Sequence, residues 1–275
     1  MRRLVRLALE EDIGTGDLTT DLVVPEGILA AAEVVAKEAG VLAGGAVAMA
    51  VLEEVDPAIR VRLLVEDGGE VAPGTVVLRA EGPARSLLVA ERTLLDFLMR
   101  LSGVATAARA FAGAVEGTGT VPLDTRKSTP GYRVLEKHAV RVGGARNHRM
   151  SLASGVLIKN NHLAMCDGDV AGAVRRARAG APLLAGVEVE CRTPEEVDAA
   201  VGAGADVVML DHMPMDQVAA VVARHRGRAR FEVSGDVTPA TASAAAAAGV
   251  DYVSTGAVTH HAPWLDFGMC LTPVR

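Results

Sequence analysis

Hydrophobic and polar positions repeat with two different periods along the first part of the chain. Apolar residues at helical spacing predict helices over residues 2–12, 45–55 and 86–103. Residues 30–44 and 61–84 contain short, partly alternating segments that are interrupted by Gly and Pro, and these predict strands and turns. The first hundred residues therefore predict a small α+β domain.

From about residue 105 the pattern changes to one of strands alternating with helices. A helix is predicted over 105–115, and apolar, β-branched strands then recur at intervals of about twenty residues, as expected for parallel βα units. The predicted strands span 186–191, 206–211, 229–235 and 251–256. No GxGxxG motif follows a first strand, which favours a closed or nearly closed barrel over a dinucleotide-binding sheet. The tail after Pro263 leaves this rhythm and is expected to return to the N-terminal domain.

Each of these predicted strands ends in or next to a polar residue. The residues are Glu190, Asp211, Ser234 and Ser254. Barrel enzymes carry their chemistry at the carboxyl ends of the strands, so these side chains predict a ring of functional groups at one face. The turns that contain Ser234-Gly235 and Ser254-Thr255-Gly256 precede helices, where backbone N–H groups can bind phosphate. The alternatives are purely structural turns, with the two acids as ordinary salt-bridge partners.

Charge changes the picture, because an acidic chain concentrates its basic residues in one segment. The net charge is −6, yet three of the four lysines lie between Leu123 and His162. The basic residues there are Arg126, Lys127, Arg133, Lys137, Arg141, Arg146, Arg149 and Lys159, with His138, His148 and His162. Clustered positive charge predicts an anion site, with a solvated basic face as the alternative. Val156, Leu157 and Ile158 predict a buried strand that would place Lys159 at its carboxyl end.

Composition argues against several classes of protein. No apolar run approaches the ~20 residues that span a bilayer, and the basic start turns acidic too soon for a signal peptide. Three widely spaced cysteines without a CxxC pair predict reduced thiols and a cytoplasmic location. The acidic net charge, with only four Phe, two Tyr and one Trp, argues against nucleic-acid binding.

Several motifs, taken in order, resemble one known family. The segments LDTRKSTPGYRVLEKHAVRVGGARNHR, LIKNNH, VEVE, EVSG and DYVSTGAVTH, with the acid after VVML, are similar to quinolinate phosphoribosyltransferase. EDIGTGDLTT and ERTLLDFLMRLSGVAT extend the resemblance through the N-terminal half. The resemblance implies an N-terminal α/β sandwich domain (residues 1–104, joined by the tail 263–275) and a partial, open TIM-like α/β barrel (105–262).

The same resemblance implies an activity. It is the decarboxylating transfer of phosphoribose from 5-phosphoribosyl-1-pyrophosphate to quinolinate, which gives nicotinate mononucleotide, CO₂ and pyrophosphate in de novo NAD biosynthesis. The resemblance further implies Mg²⁺ as cofactor and a homodimer with shared sites, with a hexamer as the alternative. Neither a nucleic acid nor a membrane is expected as a partner.

Roles for individual residues follow from the resemblance. Arg92 would reach the neighbouring subunit's barrel and hold a quinolinate carboxylate. The residues expected to bind quinolinate and pyrophosphate are Arg126, Lys127, His148, Arg149 and Lys159. Those expected to act near the ribose are Glu190 and Asp211, which would also hold Mg²⁺, together with Lys159. Those expected to bind the 5′-phosphate are Ser234, Gly235, Ser254 and Gly256.

Six positions around these motifs depart from the family pattern. Four of them are Ser151, Asn160, His212 and Asp236, where Gly, Asp, Asn and Gly are usual, and two in the ERT helix are Asp96 and Met99, where Asn and Gln are usual. Asp236 would repel a phosphate unless its carboxylate points away. These departures leave open a related transferase that uses the same donor with another aromatic acid. A non-catalytic phosphate-binding homologue and a Schiff-base aldolase that uses Lys159 are further alternatives.

Overall fold

The structure, a computed structural model, describes residues 1–274 and divides into two compact units. Unit 1 comprises residues 1–109, 129–144 and the chain from 261 onward, and unit 2 comprises 110–128 and 145–260. These units are defined by their internal packing and are not the domains predicted from the sequence. The predicted domains, residues 1–104 with 263–275 and residues 105–262, stay a prediction.

The described residues form both helices and strands, and the regular alternation of the two begins with the strand Val156–Ile158 in the second half of the chain. The helices are α1 (Arg2–Ile13), α2 (Leu18–Val23), α3 (Gly45–Val55), α4 (Ala84–Ala114), α5 (Arg133–Val142), α6 (Asn160–Ala164), α7 (Val170–Gly180), α8 (Pro194–Gly202), α9 (Met215–His225), α10 (Pro239–Ala247) and α11 (Ala257–His260). The strands are β1 (Leu29–Ala36), β2 (Gly40–Val41), β3 (Arg60–Leu63), β4 (Glu70–Val71), β5 (Val76–Pro83), β6 (Val121–Leu123), β7 (Val156–Ile158), β8 (Val187–Cys191), β9 (Val207–Asp211), β10 (Arg230–Ser234), β11 (Tyr252–Ser254) and β12 (Phe267–Pro273). Within residues 1–274, no helix combines the length and the apolar character needed to cross a membrane.

Unit 1 is built on a four-stranded antiparallel sheet with the strand order β12-β1-β5-β3. β1 buries every second side chain from Ala30 to Ala36, which is the alternation expected of a strand with one face on a core. β12 pairs with β1 from Phe267 to Pro273. This pairing confirms that the tail returns to the N-terminal part of the chain.

Helix α4 continues through Gly103, so the prediction of two separate helices at 86–103 and 105–115 was wrong. A Cβ atom on Gly103 would lie 1.9 Å from the carbonyl oxygen of Pro263. Glycine therefore allows a close approach of the returning backbone and does not end the helix.

Helix α5 places part of the basic segment in unit 1, where ion pairs and hydrogen bonds hold it. The buried Glu136 accepts hydrogen bonds from Arg100 Nε (3.2 Å) and from the backbone N–H of Thr129 (2.9 Å). His138 Nε2 lies 2.9 Å from Asp67 Oδ2. The clustered positive charge of the sequence therefore serves two units, and only its two ends belong to the barrel.

Unit 2 is a six-stranded, all-parallel sheet with the order β6-β11-β10-β9-β8-β7, and helices connect its successive strands. Among the described residues β6 and β7 remain the two edges of the sheet, so the predicted α/β barrel is a partial, open one. Thr193 and Thr238 cap α8 and α10, each with Pro at the first turn. These caps fix the first turns of the two helices.

The close approach at Gly103 yields a stability prediction. We expect Gly103→Ala to lower the free energy of unfolding by about 2 kcal/mol, because the methyl group forces the α4 and Pro263 backbones apart. Urea unfolding followed by circular dichroism measures the change. Gly113→Ala in the same helix is the matched control, since nothing lies within 4 Å of its Cβ position. Equal effects of the two substitutions would show that the contact with Pro263 is not tight.

Candidate active site

The carboxyl ends of the barrel strands carry the predicted polar residues. Asp211 ends β9, Ser234 ends β10 and Ser254 ends β11, while Glu190 is the penultimate residue of β8. Asp211 pairs in register with Ser234, and Ser254 pairs with Leu123 at the end of β6. Because the strands are parallel, these ends share one edge of the sheet. The structure therefore brings the four residues together as the sequence predicts.

Glu190 lies at the centre of a charged network at this edge. It accepts hydrogen bonds from Asn160 Nδ2 at 2.6 Å and from Lys159 Nζ at 3.3 Å. Burial raises the pKa of Glu190, as does the neighbouring Asp211 carboxylate, although Lys159 acts in the opposite direction. Asp211 in turn lies 3.5 Å from Arg192 Nε. The two acids are thus close enough to repel each other, and cations flank both of them.

Two guanidinium groups in the same unit have no carboxylate partner within ion-pair distance in residues 1–274. Arg126 Nε is buried without a hydrogen-bond acceptor. Arg149 donates one hydrogen bond, from its guanidinium to the Gly155 carbonyl at 3.2 Å. Burial lowers the pKa of Arg149, and so does the positive charge of Arg126 nearby. Unpaired, partly buried cations that repel each other are arranged to receive an anion.

The segment that carries Arg149 is anchored to β6 by one buried carboxylate. Asp124, which is fully buried, accepts hydrogen bonds from Asn147 Nδ2 (2.7 Å) and from the backbone N–H of His148 (2.8 Å). A parallel bridge between Leu123 and Arg146 continues the attachment. This anchor fixes the backbone position from which the Arg149 side chain extends.

Sequence reasoning missed two buried acids, Glu188 and Glu232. His148 Nε2 lies 2.9 Å from Glu188 Oε2 and 3.7 Å from Glu232 Oε2. Each acid lies two positions before a predicted site residue, Glu190 or Ser234, so it occupies the same face of its strand. A charge at every second position of an apolar strand was the available signal. Both ring nitrogens of His148 are engaged by protein groups, and its role in anion binding stays a prediction.

The predicted phosphate cradle contains two serines and two glycine positions. Ser254 Oγ donates to Ser234 Oγ at 3.0 Å. Gly235 has a φ of 98°, and a Cβ there would meet the His212 ring at 2.6 Å. A Cβ on Gly256 would lie 2.9 Å from Lys127 Cδ. His212 therefore packs against Gly235 and Lys127 against Gly256. A side chain at either glycine would collide with these neighbours, so both positions require glycine.

The departures from the family pattern do not include Arg126 or Arg149, the two guanidinium groups without a carboxylate partner. The Asp236 side chain is 98% exposed, so its carboxylate points to solvent. Ser151 bonds to Ser154 within an exposed loop. Asn160 contacts Glu190, and the His212 ring lies 3.9 Å from Asp211. Electrostatic repulsion between Asp236 and a bound phosphate is therefore reduced by solvent.

Arg92 lies in unit 1, on α4. Its guanidinium is half-exposed and lies 3.4 Å from Asp96 Oδ1, four residues further along the helix. The contact with a neighbouring subunit that the sequence predicts for Arg92 stays a prediction.

The fold and the site together define a class of protein. A parallel α/β barrel whose strand ends combine paired acids, unpaired cations and glycine-containing turns is a barrel enzyme for phosphorylated, anionic substrates. Sequence profiles for the C-terminal and N-terminal domains of quinolinate phosphoribosyl transferase match residues 104–270 and 17–102. The chain belongs to the quinolinate phosphoribosyl transferase family.

Individual relatives agree along nearly the full length of the chain. The nicotinate-nucleotide pyrophosphorylase (carboxylating) of Mycobacterium leprae is 42% identical over 276 residues, with 98% of this chain and 96% of that protein covered. Quinolinate phosphoribosyltransferase (decarboxylating) 1b of Nicotiana tabacum is 35% identical, with 98% and 81% covered. The solved structure of the nicotinate-nucleotide pyrophosphorylase from Francisella tularensis is 37% identical, has a TM-score of 0.92, and is matched over 98% of this chain and 95% of that one.

The buried anchor at Asp124 can be tested by substitution. We expect Asp124→Ala to lower the free energy of unfolding by about 2–4 kcal/mol, because the Asn147 amide and the His148 N–H lose a buried charged acceptor. Chemical denaturation measures the loss. Asp266→Ala is the control, since both its carboxylate and its partner Lys37 are about half-exposed. A loss at Asp124 no larger than at Asp266 would contradict the anchoring role.

Proposed function

We propose that this protein transfers phosphoribose from 5-phosphoribosyl-1-pyrophosphate to quinolinate and releases CO₂ and pyrophosphate, forming nicotinate mononucleotide for de novo NAD biosynthesis. The observation that carries the proposal is the pair of unpaired guanidinium groups, Arg126 and Arg149, in a unit whose strand ends also present Glu190 and Asp211. A dicarboxylate acceptor needs such cations, and a ribose centre that becomes positive needs such acids.

The chemistry requires position and electrostatics without a covalent catalyst. Breaking the bond between ribose and pyrophosphate develops positive charge at the sugar carbon, which Glu190 and Asp211 would stabilise. Arg126, Lys127 and Lys159 would bind the leaving pyrophosphate and the acceptor carboxylates. The pyridine nitrogen forms the new bond to ribose and becomes cationic. The adjacent carboxylate then leaves as CO₂, and the ring carbon that keeps its electron pair takes up a proton.

The 5′-phosphate of the donor would occupy the turns that follow β10 and β11. Ser234, Gly235, Ser254 and Gly256 supply hydroxyl and backbone N–H groups there, and the glycines leave room for a phosphate to approach the backbone. Late barrel strands are the usual position for such a cradle.

Mg²⁺ is part of the proposal because the donor set fits it. Carboxylate oxygens are the protein ligands that Mg²⁺ prefers, and Asp211 lies close enough to Glu190 to raise the pKa of the Glu190 carboxyl group. Bound there, Mg²⁺ would neutralise charge on the pyrophosphate oxygens. Lys159, which pairs with Glu190, would hold that carboxylate in place.

Two further features complete the proposal. The active form is a homodimer in which Arg92 of each subunit serves the neighbour's site, or a hexamer built from three such dimers. The location is cytoplasmic, in keeping with Cys166, Cys191 and Cys270, all of which are free thiols.

The alternative activities have less support. The departures at Asn160, His212 and Asp236 lie beside Glu190, Gly235 and solvent, on the donor side of the proposed site. Ser151 bonds to Ser154 in an exposed loop, and the acceptor cations Arg126 and Arg149 are themselves unchanged. A different aromatic acid is therefore not favoured. Lys159 is half-exposed and pairs with Glu190, whereas a lysine that forms a Schiff base is desolvated or lies next to another cation.

The deciding experiment is an assay of pyrophosphate release with Mg²⁺, 5-phosphoribosyl-1-pyrophosphate and quinolinate, with the products identified by mass spectrometry. Nicotinate mononucleotide and CO₂ in equal amounts are expected. Pyrophosphate release only with another aromatic acid would assign a different acceptor. Donor binding without turnover of any acceptor would assign a non-catalytic homologue.

The guanidinium pair gives a kinetic prediction. Arg126→Ala and Arg149→Ala are each expected to lower kcat/KM for quinolinate at least tenfold, because each removes a charge-assisted contact of ~1.5–3 kcal/mol. Steady-state kinetics measure the effect. Arg176→Ala is the matched control, since its guanidinium is exposed and 3.8 Å from Asp169. Wild-type kinetics in both site variants would mean that the acceptor binds elsewhere.

Shared sites give a complementation prediction. Arg92→Ala and Lys159→Ala are each expected to be nearly inactive alone, for the loss of a binding cation. A mixed heterodimer keeps one intact site, so random reassembly should restore about a quarter of wild-type activity. Refolding a mixture of the two variants and assaying it measures the recovery. No recovery in a sample shown by native mass spectrometry to contain heterodimers would place Arg92 in its own subunit's site.

A further inference from the structure

A cluster of three ionisable groups lies inside the barrel beneath the proposed active site. His148, Glu188 and Glu232 bring one ring nitrogen and two carboxylate oxygens within 4.8 Å of one another. Glu188 is 8% exposed and Glu232 only 1%. This arrangement has the geometry of a small cation site, and the hydrogen bonds of His148 decide whether it can be one.

The backbone assigns the tautomer of His148. The N–H of Arg149 donates to His148 Nδ1 at 2.7 Å, so Nδ1 carries a lone pair and no proton. A neutral imidazole then carries its proton on Nε2, the atom that lies 2.9 Å from Glu188. A neutral imidazole that bound a metal ion through Nε2 would carry its proton on Nδ1, where it would face the Arg149 N–H. The cluster is therefore a proton-sharing site.

The two carboxyl groups show where a further proton belongs. Glu188 Oε1 and Glu232 Oε1 are buried, and neither has a hydrogen-bond partner in the described chain when both groups are ionised. A proton on Glu232 makes it a hydrogen-bond donor to the neighbouring Glu188 carboxylate. Burial raises the pKa of Glu232 to about 8, with a smaller contribution from the Glu188 carboxylate.

We infer that Glu232 is a positioning residue of the proposed transferase: as a neutral acid it donates to Glu188, which thereby remains the acceptor of the His148 Nε2–H and keeps Nδ1 available to the Arg149 backbone. A second ionised carboxylate here would favour the doubly protonated imidazolium. The Nδ1–H of that form would point at the Arg149 N–H and break the contact that orients Arg149.

The same chain of groups reaches the proposed phosphate cradle. Ser254 contacts the Glu232 carboxyl and also donates to Ser234 Oγ at 3.0 Å. Glu232 therefore lies between the serines proposed to hold the donor's phosphate and the arginine proposed to hold the acceptor. This kinetic role rests on the proposed function, whereas the proton positions do not.

The kinetic test compares an isosteric variant with one that cannot donate. Glu232→Gln keeps a donor to Glu188 and no charge, so kcat and the KM for quinolinate should stay within about threefold of wild type. Glu232→Leu leaves Glu188 without that donor and should lower kcat about tenfold while raising the KM for quinolinate. If folded Glu232→Gln were as impaired as Glu232→Leu, a charged Glu232 would be required and the inference would be wrong.

The proton positions are tested directly by NMR of protein labelled with ¹⁵N-histidine. The His148 signals, assigned by their loss in His148→Gln, should show at neutral pH a protonated Nε2 and an unprotonated Nδ1. They should be unchanged in Glu232→Gln and altered in Glu232→Leu. A doubly protonated ring, or a proton on Nδ1 alone, would overturn the inference. If Glu232→Leu does not fold, the wild-type spectrum and the Glu232→Gln kinetics still decide.

The two readouts separate this inference from the proposed function. Should the protein turn over no quinolinate, the kinetic comparison fails with the proposed function. The histidine spectrum would still confirm or refute the arrangement of the three groups.

Discussion

The buried carboxylate of Asp124 is the interaction on which the cationic part of the site depends. It accepts hydrogen bonds from the Asn147 side chain and the His148 backbone N–H. These bonds attach the segment that carries Arg149 to the end of β6. A fully buried carboxylate is stable only when hydrogen bonds replace the water it has lost. The same requirement fixes the path of the segment, because moving it would leave both the acid and its donors unsatisfied.

The site retains electrostatic repulsion that a purely structural core would have removed. Arg126 and Arg149 lie near each other without carboxylate partners, and Glu190 lies beside Asp211. Each like-charged pair costs stability in the free protein. Substrate charges of the opposite sign would relieve that cost on binding, so the arrangement favours the occupied state. The same repulsion contributes to the shifted pKa values of Arg149 and Glu190, and such shifts are typical of functional sites.

The substitutions at Asn160 and His212 preserve this balance of charge. An amide at position 160 donates to Glu190, where a carboxylate would repel it. His212 covers Gly235 and lies between Asp211 and Asp236, at 3.9 Å and 4.0 Å. These contacts are local to the donor side of the proposed site. They account for the departures without a change of substrate.

Much of this protein follows from its sequence alone. Alternating periods predicted strands, and helical periods predicted helices. Polar residues at the ends of apolar strands predicted that functional groups share one edge of the sheet, because parallel strands have their carboxyl ends at the same edge. The motifs predicted the family. Only the tertiary structure decided that Gly103 lies inside a helix. Glycine is needed there because the Pro263 backbone, far along the chain, packs closely against it. The tertiary structure also decided that Glu136 and His138 belong to unit 1, and that Glu188 and Glu232 meet His148. Contacts between residues distant in sequence leave no periodic signal, so burial and partnership of charged groups had to come from the fold.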